Sequence, residues 1–316
     1  MIINLIPEFL AVHASTGREA AYRSYLERHR QVLESYWHNY VLDLDSPHTA
    51  EVVARALAAD RDDLRRLMAS VDLEQLAADV LDRAATLLEL DQEVDVYLTV
   101  GVGAANAAEL VVGGRGAVVV CVEHFTGQPN PDTYGLGLSP QLIPLWIAHE
   151  IAHTVRYTSP TSRSELKRLV SEAGGTYDYW DTGSRATLRE LLLNEGVAVH
   201  VARAAAPGFG DEEYFGFTRR QYRRMRELES FLFRAAEADL DRAGLGLRLR
   251  YLSGGMSPAA RLVQGRVLPE RSGYYIGARM AEALVGERGV AAAARAAAAE
   301  FTAATSRQAA GRAVGA

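Results

Sequence analysis

The residues of this chain best suited to chemistry stand in one short block, His149-Glu150-Ile151-Ala152-His153. On a helix, a spacing of four residues puts both imidazoles on one face, one turn apart, where they can reach a single cation. Glu150 projects beside them, placed to take a proton from water at such a site. Zinc suits this donor set: it binds four ligands, and a catalytic site takes three from protein and leaves the fourth position to water. The bland alternative is a solvated helix that happens to carry two histidines, and the neighbourhood argues against it. Leu142, Ile143, Leu145, Trp146, Ile147, Ala148, Ile151, Ala152 and Val155 lie on nearly every side of the predicted helix. Burying two imidazoles and a carboxyl there without partners would cost kilocalories per group.

A third protein ligand is therefore required. Cys121 is the only cysteine, which removes both a disulfide framework and a zinc site built from several thiolates. No histidine follows at the spacing of a three-histidine metal motif, so a carboxylate on another apolar helix is expected. The run Leu191-Leu192-Leu193-Asn194-Glu195-Gly196-Val197-Ala198 offers Glu195, and Gly196 would let this helix approach the histidine helix closely. Glu190 is the rival. Five residues separate the two, about 140° around a helix, so only one can face the metal. Glu190 adjoins Arg189 near the polar start of the helix, where an ordinary N-terminal charge is expected. His124 and His200 read as structural histidines.

These side chains need elements to hold them. Apolar residues recur at three and four from Arg18 to about Leu90, predicting two or three helices with a break near Pro47. Val94 to Val100 alternates as a strand, and Leu110–Val112 and Ala117–Val122 flank Gly113, Gly114 and Gly116 as a hairpin. Ser139-Pro140 marks the N-cap of the histidine helix, which should run to about Tyr157. A polar stretch from Thr158 to Ser184, with Tyr177, Tyr179 and Trp180, either lines the cleft or merely connects to a second apolar helix from about Arg185 to Ala205. Further helices are predicted at Glu212–Ala243, around Pro258–Gln264, at Ser272–Val285 and through the alanine-rich tail.

His149-Glu150-x-x-His153 followed by Leu193-Asn194-Glu195-Gly196-x-Ala198 resembles the gluzincin metallopeptidases, the thermolysin-like and aminopeptidase-N-like clan, in which the second segment gives the glutamate ligand. Gly273-Tyr274-Tyr275-Ile276-Gly277, after Pro269, resembles the Gly-Tyr-x-x-Gly segment of a family of predicted zinc-dependent proteases catalogued as domain of unknown function 2268. The resemblance spans roughly residues 95 to 286. It implies an α+β, mostly helical, zincin-like fold: a small sheet packed on the histidine helix and a helical C-terminal half closing the cleft. The expected divisions are a helical N-terminal region (1–92), the metallopeptidase domain (93–286) and an alanine-rich tail (287–316). It also implies Zn2+ held by His149, His153 and Glu195, with Glu150 as general base and Tyr274, or failing it Tyr275, as donor to the developing oxyanion. Thermolysin-like enzymes carry an aspartate four residues after the glutamate ligand, and here that position is Val199. By analogy, a peptide would align along Ala117–Val122 or Val94–Val100. The expected substrate is a peptide or small amide. A specialised amidase or a zinc-stabilised binding protein without turnover is the alternative.

Composition narrows the classes further. Of 316 residues, 48% are hydrophobic and 23% charged, the balance of a globular chain. The net charge of -6 offers no basic face for nucleic acid, and no apolar run reaches membrane-spanning length. The first ten residues lack the basic start of a signal peptide, so a cytoplasmic protein is expected. The arginines at 219, 220, 223, 224 and 226 are flanked by Glu212, Glu213, Glu227 and Glu229 and read as a solvated helix face. The glycines at 101 and 103 lack the rest of a dinucleotide fingerprint. Cys121, within Val118–Val122, reads as an inert buried residue.

Overall fold

The computed structural model describes residues 1–302. Before the sheet, the helical periodicity resolves into six short helices rather than two or three: α1 (Ile6–Ala14), α2 (Arg18–Arg28), α3 (Arg30–Tyr40), α4 (Thr49–Ala58), α5 (Asp62–Ser70) and α6 (Leu73–Leu88). Most of the breaks are one to three residues long, too short to interrupt the apolar periodicity. Asp72, for example, caps α6 by accepting from Gln75 N, satisfying one of the orphan amides of a new helix start.

The first strand, β1 (Ile2–Asn4), lies inside the region read as helical. It joins β2 (Val94–Thr99), β3 (Ala107–Val112) and β4 (Arg115–Cys121) in a sheet of order β1-β2-β4-β3. β1 and β4 run parallel to β2, whereas β3 is antiparallel to β4. The β3–β4 hairpin turns on Gly113 and Gly114, both at positive φ (59° and 78°), as a two-residue turn demands. The two strands expected to align a peptide, β2 and β4, are both interior to the sheet, with hydrogen-bonded neighbours on each side. They have no free edge, and strand addition there is excluded.

Ser139 caps a single 3-10 turn, Pro140–Leu142, that leads into α7 (Ile143–Thr158), the histidine helix. Every residue of α7 from Ile143 to Tyr157 is buried. One side lies on β3 and β4, where a Cβ on Gly116 would stand 2.7 Å from Thr154 Cβ. The polar stretch after α7 holds two short helices, α8 (Glu165–Glu172) and α9 (Tyr179–Arg185). Then come α10 (Leu188–Ala205), α11 (Arg219–Glu237), α12 (Leu245–Leu252) and α13 (Ser272–Arg295), the last interrupted by Gly289 at φ 80°. The helix expected around Pro258–Gln264 is instead a tight pair of two-residue strands, Leu262–Val263 and Arg266–Val267. Gln264 and Gly265 take φ of 49° and 75° between them, values no α-helix contains. The expected alanine-rich tail, 287–316, falls partly on α13, and from 303 onward it lies outside the described residues.

One cluster of buried side chains runs from Leu5 to Phe301. Within it α10 packs on α7 on one side and on α13 on the other. Gly196 serves the second contact and not, as expected, the approach to α7. A Cβ on Gly196 would fall 2.0 Å from the Gly277 carbonyl carbon, and one on Gly277 only 1.8 Å from the Leu192 carbonyl oxygen. The two backbones touch because neither carries a side chain there. Gly277→Ala must therefore force α10 and α13 apart, with an expected loss of about 1–3 kcal/mol or more in urea unfolding; unchanged stability would contradict this crossing.

Candidate functional site

His149, Glu150 and His153 come from α7, Glu195 from the facing turn of α10, and all four are buried. The Nε2 atoms of both histidines converge on one oxygen: Glu195 Oε2 lies 3.3 Å from His149 Nε2 and 3.6 Å from His153 Nε2. Zinc bonds of about 2.0–2.2 Å at tetrahedral angles put neighbouring ligand atoms roughly 3.3–3.6 Å apart, the separation of Glu195 Oε2 from each imidazole nitrogen, and the three atoms all lie within 4.8 Å of one another. Both Nδ1 atoms are buried with no hydrogen-bond partner among the described residues. The donor set and spacing thus fit a divalent cation, with His149, His153 and Glu195 as the atoms that could hold it. Burial pushes the His149 pKa down to about 3 and lowers that of His153, leaving both rings neutral at pH 7, the form that binds metal.

Glu190 is elsewhere. Its carboxylate pairs with Arg156 on α7, both side chains being fully buried, and Arg156 also reaches the carbonyls of Ala293, Ala294 and Ala296. This ion pair fastens α10 to α7 and to the end of α13, and it leaves Glu195 as the carboxylate on α10 that meets the histidines.

Sequence reasoning missed Glu109. It sits in the middle of β3, buried, accepting from Tyr40 Oη at 2.8 Å and Tyr157 Oη at 3.0 Å. Its carboxylate, one from Glu150 and a nitrogen of His153 lie within 4.8 Å of one another. The signal was a lone carboxylate inside an otherwise apolar strand, Ala107-Ala108-Glu109-Leu110-Val111-Val112. Burial, Glu109 and Glu195 together raise the Glu150 pKa well above the usual carboxylate range. Although burial opposes it, Glu109 is held low by His153, Arg248 and the Tyr40 hydroxyl. Tyr157 Oη in turn accepts from Asn194 Nδ2 at 3.0 Å, and the Asn194 side chain also supports the proton affinity of His153. Asn194 thus links α7 and α10 beside the cluster of histidines and Glu195.

A cleft of about 480 Å3 opens onto these groups. Tyr274, on the first turn of α13, lines it with its ring stacked 6.1 Å from that of His149, while the Arg271 guanidinium lies 4.3 Å from the centre of the Tyr274 ring. Tyr275 points away and donates to Glu229 Oε2 at 2.5 Å. Tyr179 and Trp180 of α9 form part of the wall, so the stretch between α7 and α10 does line the cleft. His200 bonds the Ala278 carbonyl at 2.9 Å, and His124 Nδ1 accepts from Leu136 N at 3.3 Å; neither joins the site. Arg219, Arg223 and Arg224 pair with Glu212 and Glu227 on the outer face of the molecule. Cys121 is buried against Tyr36. No helix among the described residues is long and apolar enough to cross a membrane. Compared with family models, curated proteins and solved structures, the chain has no match.

The two glutamates of α10 should separate experimentally. Glu195→Gln is expected to weaken zinc binding, read by competition with a chromophoric chelator, by more than the roughly 100-fold that loss of an outer partner costs. Glu190→Gln should leave that affinity unchanged while destabilising the fold by about 3–5 kcal/mol, because it strands a buried guanidinium. The reverse pattern would exchange their roles.

Proposed function

We propose that this protein is a zinc-dependent hydrolase of amide bonds, a metallopeptidase of gluzincin type acting on peptides or small amides. The observation that carries the reading is the convergence of His149 Nε2 and His153 Nε2 on Glu195 Oε2 at 3.3 and 3.6 Å, with a buried acid, Glu150, beside them at the floor of a cleft. The resemblance of the two ligand segments to gluzincins, and of Gly273–Gly277 to the domain of unknown function 2268 family, supports the same assignment.

A bound zinc would act as a Lewis acid on a carbonyl and would lower the proton affinity of water. The chain's own groups do the rest. Glu150 takes the proton from the attacking water and delivers it to the amide nitrogen as the C–N bond breaks. Burial first, then its neighbours Glu109 and Glu195, raise its proton affinity, which favours the protonated form that delivers the proton to nitrogen. Tyr274, stacked on His149 and facing the cleft, donates its hydroxyl hydrogen to the carbonyl oxygen that gains charge. The apolar surroundings of α7 exclude bulk water and strengthen each of these interactions.

The cleft lies within the 300–1,000 Å3 of small-ligand pockets, which favours a short peptide or a single small amide over an extended polypeptide. Glu150 argues against a purely structural zinc site, which has no use for a base at that position.

Glu150→Gln protein is expected to retain stoichiometric zinc by metal analysis and to lose hydrolysis, assayed against a panel of short peptides and small amides. Undiminished turnover would remove Glu150 from its role, and zinc retention without turnover of any amide by the native protein would favour the binding-protein reading. Tyr274→Phe should lower kcat by about 100-fold with a smaller change in KM; an equal rate would assign the oxyanion donor elsewhere.

A further inference from the structure

The walls of the same cleft carry two guanidinium groups that no carboxylate of the described residues contacts as an ion pair. Arg248, on α12, is buried. Its guanidinium lies 3.5 Å over the Tyr179 ring, Nη1 donates to the Tyr179 carbonyl at 3.0 Å, and Nη2 donates to Tyr177 Oη at 2.8 Å. Each terminal nitrogen carries two N–H groups, so one on each remains uncommitted, and Nε has no partner at all. Arg271, just before α13, is more exposed; its only hydrogen bond to the main chain is a long one, 3.5 Å, to the Gly216 carbonyl. Both residues line the cleft with His149, Glu150 and Glu195.

A buried arginine is ordinarily matched by a carboxylate, because an unpaired charge in a poorly hydrated site is expensive. Arg156 and Glu190 show that match elsewhere in this molecule. Glu109 feels the Arg248 charge at a distance, but its hydrogen bonds come from the hydroxyls of Tyr40 and Tyr157 and it makes no ion pair with Arg248. The guanidinium is held rigidly by aromatic stacking and two hydrogen bonds, at a wall of the cleft, with donors to spare. Arginine of this kind recognises planar anions.

We propose that the cleft binds a substrate bearing a carboxylate, which Arg248 holds from the buried wall and Arg271 from the more exposed one. This deepens the amide-hydrolase reading and rests on it for the nature of the ligand: a short acyl-amino acid or peptide whose carboxylate lies close to the bond to be cut. The carboxylate is either the free C-terminus or an Asp or Glu side chain.

The test uses binding rather than turnover. Zinc-loaded Glu150→Gln protein is equilibrated with pools of N-acetylated tripeptides made as free acids, as C-terminal amides without acidic residues, and as C-terminal amides containing Asp or Glu; retained peptides are quantified by mass spectrometry. One of the two acid-bearing pools should be retained about tenfold or more over the neutral amides, the value of a charge-assisted contact. Retention of the free acids assigns the C-terminal carboxylate, and retention of the acidic amides assigns a side chain. Arg248→Gln should bring the acid and neutral pools close to parity, and Arg271→Gln, at a more exposed position, provides a second reading should the first variant fail to fold. Equal retention of acids and neutral amides, no retention of any pool, or a preference untouched by both substitutions overturns the proposal. Native protein that selects acids but hydrolyses none leaves this inference standing and removes the peptidase reading; hydrolysis of neutral and acidic amides alike does the opposite.

Discussion

Three carboxyl groups and two imidazoles share one buried volume between α7, α10 and β3. Nothing else in the structure is as demanding. Carboxylates brought together away from water repel one another and each loses hydration. The response is visible in the direction of every titration: Glu150 and Glu195 are pushed up, His149 and His153 down, and Glu109 is kept ionised only through hydroxyl donors and nearby positive charge. A divalent cation between the imidazoles and Glu195 would relieve that strain directly, an electrostatic need that adds to the spacing of the donor atoms.

The fold can be understood as the scaffold that pays for this arrangement. α7 is packed against the sheet, α6 and α10, and its histidines meet solvent only through the cleft. α10 is fixed by the buried Arg156–Glu190 pair. α13 is drawn against α10 by the Gly196–Gly277 contact, which brings the start of α13, with Tyr274 and Arg271, over the same cleft. Two glycines therefore set the distance between α10, which carries Glu195, and α13, which carries the proposed oxyanion donor.

Much of this was legible in the residues themselves. The five-residue block gives the two imidazoles and the acid because helical periodicity alone decides which side chains share a face. Glu195 could be preferred to Glu190 from its apolar setting, and the structure shows why: Glu190 has a buried arginine of its own, which no local pattern could reveal. Gly196 was correctly read as a close-approach residue and given the wrong neighbour, since a glycine signals proximity without naming the partner. Glu109 was overlooked because a single carboxylate in a strand acquires meaning only when Tyr40, Tyr157 and Glu150 arrive from distant parts of the chain. β1, a three-residue strand whose partner β2 begins about 90 residues later, has no local signature, and the Leu262–Val267 hairpin was hidden because its turn residues, Gln264 and Gly265, looked like the end of a helix. Arg248 had only its residue type to distinguish it from the other arginines.

The most direct measurement is a zinc-edge anomalous difference map from crystals of the native protein grown with one equivalent of zinc. The account predicts a single strong peak within bonding distance of His149 Nε2, His153 Nε2 and a carboxylate oxygen of Glu195. A map without a peak at that point, or with the ion bound by other residues while Glu195 turns away, would contradict it.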